Sequence, residues 1–158
     1  MTGESANDSY LDETTDDLLE QSQQNAQALI LGTISLLDDL GVVPEAWADG
    51  LGERFAAAWS DEEPWEPAEF LDAMLTNYRS LGAEVEESDL ESDPVTAVIS
   101  GFPDEELCEV FGIDPKDAGI YHRVAAEIAR RRNLVWTWTT YDDLTTFAVS
   151  AAEVAEAE

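Results

Sequence analysis

Apolar residues recur at helical spacing near the start of the chain. The positions three or four residues apart are Ala26, Ile30, Ile34 and Leu37, and the face is widened by Leu29, Leu36 and Leu40. Thr14 or Thr15 can cap this helix, and Asp17 follows Thr14 at the spacing of a capping box. Gly41 is a typical helix-ending residue. The pattern therefore predicts a helix over 14–40.

Two further helical patterns follow, each bounded by proline or glycine. Pro44 can open a helix whose apolar stripe consists of Trp47, Leu51, Phe55 and Trp59. After a turn at 60–64, Gly82 ends a third stripe, which consists of Phe70, Leu71, Met74, Leu75, Tyr78 and Leu81. The spacing predicts helices over 44–59 and 67–81.

The pattern changes after the third helix. The segment 84–93 has six acidic residues among ten, which predicts an exposed connector. Gly112 and the pair Asp114-Pro115 mark the boundary between two later helices. In chain order, the elements predicted beyond the connector are a strand over 95–100, helices over 104–111 and 115–132, and hairpin strands over 134–140 and 144–150.

These elements predict an α+β fold that is mainly helical. The N-terminal helices are expected to pack on a C-terminal half that ends in a β-hairpin. The predicted organisation is a mobile acidic tail over 1–13, a helical front half over 14–82, an acidic connector over 83–93, a mixed half over 94–150, and a frayed tail over 151–158.

The junction near Gly112 carries a recognisable pattern. Apolar residues that can fill a wedge between two helices are Leu107, Phe111 and Ile113, and residues that can pack the second helix on the first are Ala118 and Tyr121. Cys108 occupies a small-residue position four before Gly112. The chain resembles the winged helix-turn-helix family over about 67–150, most closely over 104–150. Tyr121 is larger than usual for that family, and the acidic linker is longer.

The resemblance implies a DNA-binding regulator of transcription. The predicted helix 115–132 gathers five of the seven basic residues, namely Lys116, Arg123, Arg130, Arg131 and Arg132, together with the single histidine, His122. The resemblance implies that the residues facing the DNA groove are Lys116, Tyr121, His122 and Arg123, with Arg130, Arg131 and Arg132 or the hairpin at the phosphates. Alternatively, the three arginines offset the helix dipole, and His122 packs among alanines.

The aromatic hairpin supports a second interpretation. Trp136 and Trp138 point to one side of their strand and are candidates for a ligand pocket, or else for core packing. A similar order of elements occurs in small-ligand sensor domains of the vinyl-reductase type, although this hairpin lacks their cysteines. The alternative function is a non-catalytic protein-interaction or small-ligand sensor module that uses its acidic surface or the Trp-lined hairpin.

Charge is the most unusual feature of the composition. The 158 residues include 36 acidic and 7 basic side chains, for a net charge of −29. Molar salt shortens the screening length to about 3 Å, so such a surface is typical of a protein from a salt-adapted cell. The alternative is an acidic surface that binds a basic partner. The aromatic residues and the 44% hydrophobic content predict a folded chain.

The remaining expectations concern chemistry and partners. Cys108 is the only cysteine, and the chain shows neither a signal peptide nor a membrane-spanning stretch, which predicts a cytoplasmic location. We predict a non-enzyme with no catalytic residues, no metal site and no cofactor, since Cys108 and His122 match no known site pattern. The predicted partners are double-stranded DNA, a basic protein, or a second copy bound through the N-terminal helices.

Overall fold

The structure is a computed structural model that describes residues 14–59 and 65–153. Its helices are α1 (Thr15–Asp39), α2 (Pro44–Ala58), α3 (Pro67–Arg79), α4 (Glu105–Phe111), α5 (Pro115–Ala118) and α6 (Val124–Arg131), with a 3₁₀ turn (Gly119–Arg123) between the last two. Its strands are β1 (Glu84–Asp89), β2 (Val95–Ser100), β3 (Leu134–Tyr141) and β4 (Leu144–Ala151). The fold is α+β and mainly helical, as predicted.

The first three helices begin and end close to their predicted limits. The Thr14 side chain accepts a hydrogen bond from the Asp17 N–H at 3.1 Å, and the Thr14 N–H donates to the Asp17 carboxylate at 3.2 Å. This pair is the predicted capping box. Gly41 follows α1 with a φ of +71°, a conformation in which glycine avoids the steric penalty of a side chain. Prolines occupy the first positions of α2 and α3.

The acidic segment after α3 differs from the prediction. Its residues are exposed, but Glu84–Asp89 forms β1, which pairs antiparallel with β2 rather than acting only as a connector. The Asp89 carboxylate then accepts hydrogen bonds from the Glu91 and Ser92 N–H groups and shapes the return turn. The acidic, exposed side chains of this segment give no strand pattern in the sequence. The strand forms because its backbone pairs with β2 at the edge of the sheet.

The four strands form one antiparallel sheet in the order β1-β2-β4-β3. The predicted hairpin is confirmed, with Tyr141 opposite Leu144 beside its two-residue turn. Its second strand, β4, also pairs with β2, where Ala97 lies opposite Phe147. Buried residues alternate with less buried ones along β2 and β4, so one face of the sheet is turned towards the helices.

The single helix predicted over 115–132 is wrong. The chain forms α5, the 3₁₀ turn and α6 instead, and the turn contains Gly119 and the fully buried His122. Glycine lowers helix propensity, and a 3₁₀ segment winds more tightly than an α-helix, so the side chains after it point in new directions. His122 therefore lies within the 3₁₀ turn with its side chain in the interior.

One hydrophobic core joins the two halves of the chain. The inner face of the sheet contributes Val95, Ala97, Ile99, Leu134, Trp136, Phe147 and Val149, and the helices over it contribute Phe70, Leu71, Leu75, Tyr78, Ala125, Ile128 and Ala129. A smaller cluster of Leu31, Cys108 and Ala118 attaches α1 to α4 and α5. Helices α3 and α6 therefore lie against the sheet, and α2 packs on α6.

Three predicted segments lie partly or wholly outside the described residues. They are the tail over 1–13, the turn at 60–64, and the chain beyond 153. Over the residues that are described, none of the helices combines the length and the apolar character needed to cross a membrane.

Candidate functional site

The basic residues predicted to bind DNA lie in different environments. Arg123 donates from Nε and Nη2 to the two carboxylate oxygens of Asp49, at 2.6 and 3.0 Å. Arg130 and Arg131 both contact Glu127, at 2.7 and 3.4 Å. These ion pairs with acids of the same chain raise the pKa of Arg123 and Arg130. Three of the five basic residues that were predicted to contact DNA therefore already form ion pairs within the chain.

The other predicted DNA-facing residues divide between surface and interior. Lys116 is exposed and lies on α5, whereas Tyr121 is only partly exposed. Arg132 is buried, and its Nε and Nη2 atoms have no hydrogen-bond partner among the described residues. His122 is fully buried, so the packing alternative describes its place in the structure. Neither His122 nor Arg132 therefore lies on an exposed helix face.

The two hairpin tryptophans have separate roles. Trp136 is buried, stacks on Phe147 at 4.5 Å between ring centroids, and donates from Nε1 to the His122 carbonyl oxygen at 2.9 Å. Trp138 is half-buried and lies 6.2 Å from the His122 ring. Trp136 is therefore a core residue. Trp138 borders a polar pocket of about 400 Å³, whose charged lining residues are Asp38, Glu45, Asp114, Lys116 and Asp117.

A second pocket, of about 280 Å³, lies between α2, α3 and the segment from the 3₁₀ turn to α6. We call it the helical pocket. The residues that line it are Phe55, Trp59, Met74, Asn77, Tyr78, Ser80, Leu81, Tyr121, Val124, Ala125 and Ile128. None of these eleven side chains is charged. The pocket therefore presents aromatic and aliphatic surface with a few hydroxyl and amide groups to anything that enters it.

Two of the helices around the helical pocket, α2 and α6, approach each other closely. Gly52 of α2 lies so close to α6 that a Cβ atom there would be 2.6 Å from the Val124 carbonyl oxygen. Four residues beyond Gly52, Ala56 is buried, and the next wall residue, Trp59, contacts Phe70 with ring centroids 5.9 Å apart. Small residues therefore bring α2 and α6 together, and larger ones beside them form the pocket walls.

A buried hydrogen bond lies behind the inner wall of the helical pocket. The Tyr78 hydroxyl and the His122 Nδ1 atom are 2.6 Å apart. Burial raises the pKa of Tyr78 well above its usual value and lowers the pKa of His122 to about 3. Both groups are therefore neutral near pH 7, and the imidazole tautomer decides whether the phenol or Nδ1 is the donor. Nε2 has no partner among the described residues.

Tyr121 connects this pair to the pocket. Its ring lies 6.1 Å from the Tyr78 ring and 5.3 Å from the Phe102 ring, measured between centroids. Burial raises the pKa of the Tyr121 hydroxyl, so this group is also a neutral phenol. Tyr78 and Tyr121 both line the pocket, which makes the aromatic cluster around His122 its inner wall.

The residues considered for catalysis or metal binding are not assembled into a site. Cys108 lies in the small cluster with Leu31 and Ala118, and burial raises the pKa of its thiol to about 11. Over residues 14–59 and 65–153, no group of three or more His, Cys, Asp or Glu side chains is arranged to hold a metal ion. Cys108 is therefore a protonated packing residue near neutral pH.

The sequence predicted several of the pocket residues only as packing positions, and it assigned Tyr121 to the DNA groove as well. Phe55 and Trp59 belong to the predicted stripe of the second helix, and Met74, Tyr78 and Leu81 to that of the third. No local pattern distinguishes an apolar stripe that fills a core from one that borders a cavity. The presence and size of the cavity depend on how three separate elements cross. The aromatic content of these stripes was the only available signal.

Comparison with known proteins adds no relative. No protein-family model, curated protein or solved structure matches this chain.

Proposed function

We propose that the protein is a non-catalytic module that binds a small, uncharged and mainly apolar ligand in the helical pocket. The observation that supports this proposal is the absence of charge among the eleven lining residues that the structure describes. The chain has 36 acidic residues, yet no carboxylate lies among the described residues of the pocket wall. Such a wall accepts neutral ligands and offers no opposite charge to bind charged ones. Ligand pockets are typically apolar with a few placed polar groups.

The size and lining of the pocket indicate the kind of ligand. Its volume of about 280 Å³ lies just below the ~300–1,000 Å³ that is usual for small-molecule sites, so only a compact ligand fits. The rings of Phe55, Trp59 and Tyr121 favour a flat or cyclic hydrocarbon framework. The Asn77 amide and the Tyr121 hydroxyl can orient one hydrogen-bonding group on that framework. The ligand we expect is a compact, neutral ring compound.

DNA binding stays a prediction from the resemblance. Its support is the concentration of basic residues after Pro115, but Arg123, Arg130 and Arg131 contact carboxylates of this chain. A phosphate would have to displace these partners.

The proposal is tested with a neutral fluorescent probe, N-phenyl-1-naphthylamine, titrated into the protein at a salt concentration where circular dichroism shows it folded. The variant Phe55→Glu places a carboxylate at the pocket wall, on a side chain that is 40% exposed, so the fold should tolerate the change. We expect the wild type to enhance the probe's fluorescence and Phe55→Glu to weaken binding by about tenfold or more, equivalent to ~1.4 kcal/mol.

The matched control is Val135→Glu. Val135 is 44% exposed, lies on β3 and does not line the pocket, so the same addition of charge should leave probe affinity unchanged. Equal affinities of wild type and Phe55→Glu, or no binding by the folded wild type, would show that the helical pocket does not take this class of ligand.

A further inference from the structure

The polar pocket beside Trp138 lies between the end of α1, the start of α2 and the segment around α5. We call it the acidic pocket. The carboxylates in its lining are those of Asp38, Glu45, Asp114 and Asp117. None of them belongs to an ion pair among the described residues, and Lys116 is the one cationic side chain in the described lining. The pocket therefore holds negative charge that the described chain does not neutralise.

The carboxylates surround a cavity rather than a single point. Within residues 14–59 and 65–153, no three His, Cys, Asp or Glu side chains are arranged to hold a metal ion. A bound Mg²⁺ or Ca²⁺ needs several oxygen atoms at about 2.0–2.6 Å from one centre. The volume of about 400 Å³ lies within the ~300–1,000 Å³ that is usual for small-molecule sites. These features favour an organic cation over a metal ion.

Part of the lining is apolar. The half-buried Trp138 borders the acidic pocket together with Ile34, Ile113 and Ile120. An indole ring attracts an ammonium group that lies over its face, and isoleucine side chains can cover hydrocarbon. The lining therefore suits a molecule that combines positive charge with an aliphatic chain.

The buried His122 gives an independent indication of a ligand. Its Nε2 atom has no hydrogen-bond partner among the described residues, and it lies on the far side of the ring from Nδ1, which contacts the Tyr78 hydroxyl. Cδ2, the ring atom bonded to Nε2, would be 3.8 Å from a Cβ atom at Gly119. The Trp138 ring centroid lies 6.2 Å from that of His122. Because Gly119 and Trp138 both line the acidic pocket, the unpaired edge of His122 faces it across a residue without a side chain.

We propose that the acidic pocket binds a linear aliphatic diamine and that one of its ammonium groups donates a hydrogen bond to His122 Nε2 through the gap at Gly119. Asp38 and Glu45 approach from α1 and α2, and Asp114 and Asp117 from the α5 side, so two separated cations match the two pairs of acids. The aliphatic chain lies against Trp138. This site is separate from the helical pocket and does not depend on the function proposed for it.

The hydrogen-bonding groups fix the imidazole tautomer in the complex. An ammonium group has donors only, so Nε2 must be the acceptor. His122 is neutral near pH 7, and its one ring proton then lies on Nδ1 and is donated to the Tyr78 oxygen. Diamine binding therefore leaves a signature on a residue that is buried behind the pocket.

The first test is calorimetric titration of 1,4-diaminobutane into the full chain, at the lowest KCl concentration where circular dichroism shows it folded. One diamine should bind per chain, and more weakly as KCl rises, because salt screens the charges. Asp38→Asn should weaken binding about tenfold, the effect of losing a hydrogen bond to a charged group. The matched control is Asp72→Asn, because Asp72 is exposed on α3 and does not line the pocket. It should bind like the wild type.

The second test observes His122 directly. His122 is the only histidine, so labelling with ¹⁵N-histidine reports on one imidazole. Saturation with 1,4-diaminobutane should shift the Nε2 resonance and place the ring proton on Nδ1. Gly119→Ala should abolish this shift, because its methyl group fills the gap. The fold should tolerate that change, since Gly119 has a helical φ of −62° and the new contact is 3.8 Å. Gly50→Ala, a helical glycine outside the pocket, should keep the shift.

Four results would overturn the proposal. The first is the absence of binding by the folded wild type. The second is equal weakening by Asp38→Asn and Asp72→Asn, which would mean that the diamine contacts the acidic surface in general. The third is an unchanged His122 spectrum at saturation, which would separate His122 from the site. The fourth is equal affinity for 1-aminobutane, which would show that one ammonium group is enough.

Discussion

His122 illustrates how much one buried residue depends on its neighbours. Rings surround its imidazole, with centroid distances of 5.3 Å to Tyr78, 5.6 Å to Phe102 and 5.2 Å to Phe147. Its Nδ1 atom is hydrogen-bonded to the Tyr78 hydroxyl, and its carbonyl oxygen accepts from the Trp136 indole. The residue therefore links α3, the 3₁₀ turn and β3 through two hydrogen bonds within the core.

The buried imidazole predicts a pH dependence of stability. The pKa of His122 is about 3 in the fold, and an unfolded histidine has a pKa of about 6.5. Between these values the unfolded chain binds one more proton than the folded chain does. The stability contributed by neutral His122 is complete above pH 6.5 and is lost progressively as the pH falls towards 3. The slope approaches ~1.4 kcal/mol per pH unit.

The measurement is urea unfolding of wild type and His122→Gln at constant KCl between pH 7 and 4.5. The many carboxylates titrate in both proteins, so their effect largely cancels in the difference. The wild type should lose stability faster than the variant by up to the ~1.4 kcal/mol per pH unit of a single proton. Parallel curves would mean that His122 takes up no proton on unfolding.

At the scale of elements, the crossing of α2 and α6 is the contact most sensitive to side-chain size. A methyl group at Gly52 would lie 2.6 Å from the Val124 carbonyl oxygen and 3.2 Å from the Glu127 Cβ atom. The backbone oxygen cannot rotate away, so the two helices must separate. Because Phe55 of α2 and Trp59, directly after α2, line the helical pocket, this crossing sets the width of the pocket.

Gly52→Ala should therefore destabilise the protein by about 1–3 kcal/mol, the usual penalty of overpacking, although alanine is the better helix former. Gly50→Ala is the control, because its nearest neighbour is the flexible Arg54 guanidinium at 3.4 Å. That variant should gain up to ~1 kcal/mol. Urea midpoints at fixed salt compare the two. A neutral or stabilising Gly52→Ala would contradict the tight crossing.

For the whole molecule, net charge decides when the fold is stable. A charge of −29 on 158 residues opposes compaction in dilute buffer. Among the described residues, the ion pairs involve Arg123, Arg130 and Arg131, so most acidic side chains have no cationic neighbour. The repulsion is therefore relieved mainly by ions in the solvent.

Stability should rise as KCl increases from 0.1 to 1 M and then level off, because the screening length shortens from about 10 Å to about 3 Å over this range. Urea unfolding at a series of KCl concentrations measures the effect, with sucrose as an uncharged stabiliser for comparison. A linear rise that continues to 3 M would indicate exclusion of salt from the surface rather than screening. Constant stability below 1 M would show that the acids do not oppose folding.

Much of the fold could be predicted locally. The capping box at Thr14, the proline starts of α2 and α3, and the turn between β3 and β4 each depend on residues close in sequence. The misses were β1 and the 3₁₀ turn. β1 is a strand because β2 pairs with it, despite acidic side chains. The 3₁₀ turn accommodates a histidine that the core surrounds.

The sequence by itself determined the fold class, the limits of the main helices, the hairpin and the acidic surface, because periodicity, end signals and composition act over a few residues. Only the tertiary structure decided which residues form a site. The helical pocket brings together Trp59, Tyr78 and Tyr121 from separate elements. Arg123 is paired with Asp49 and His122 is buried, so neither is free for the role that the sequence predicted. The cavity, the buried groups with shifted pKa values and the Arg123–Asp49 ion pair arise where distant segments meet, and no local pattern records those distances.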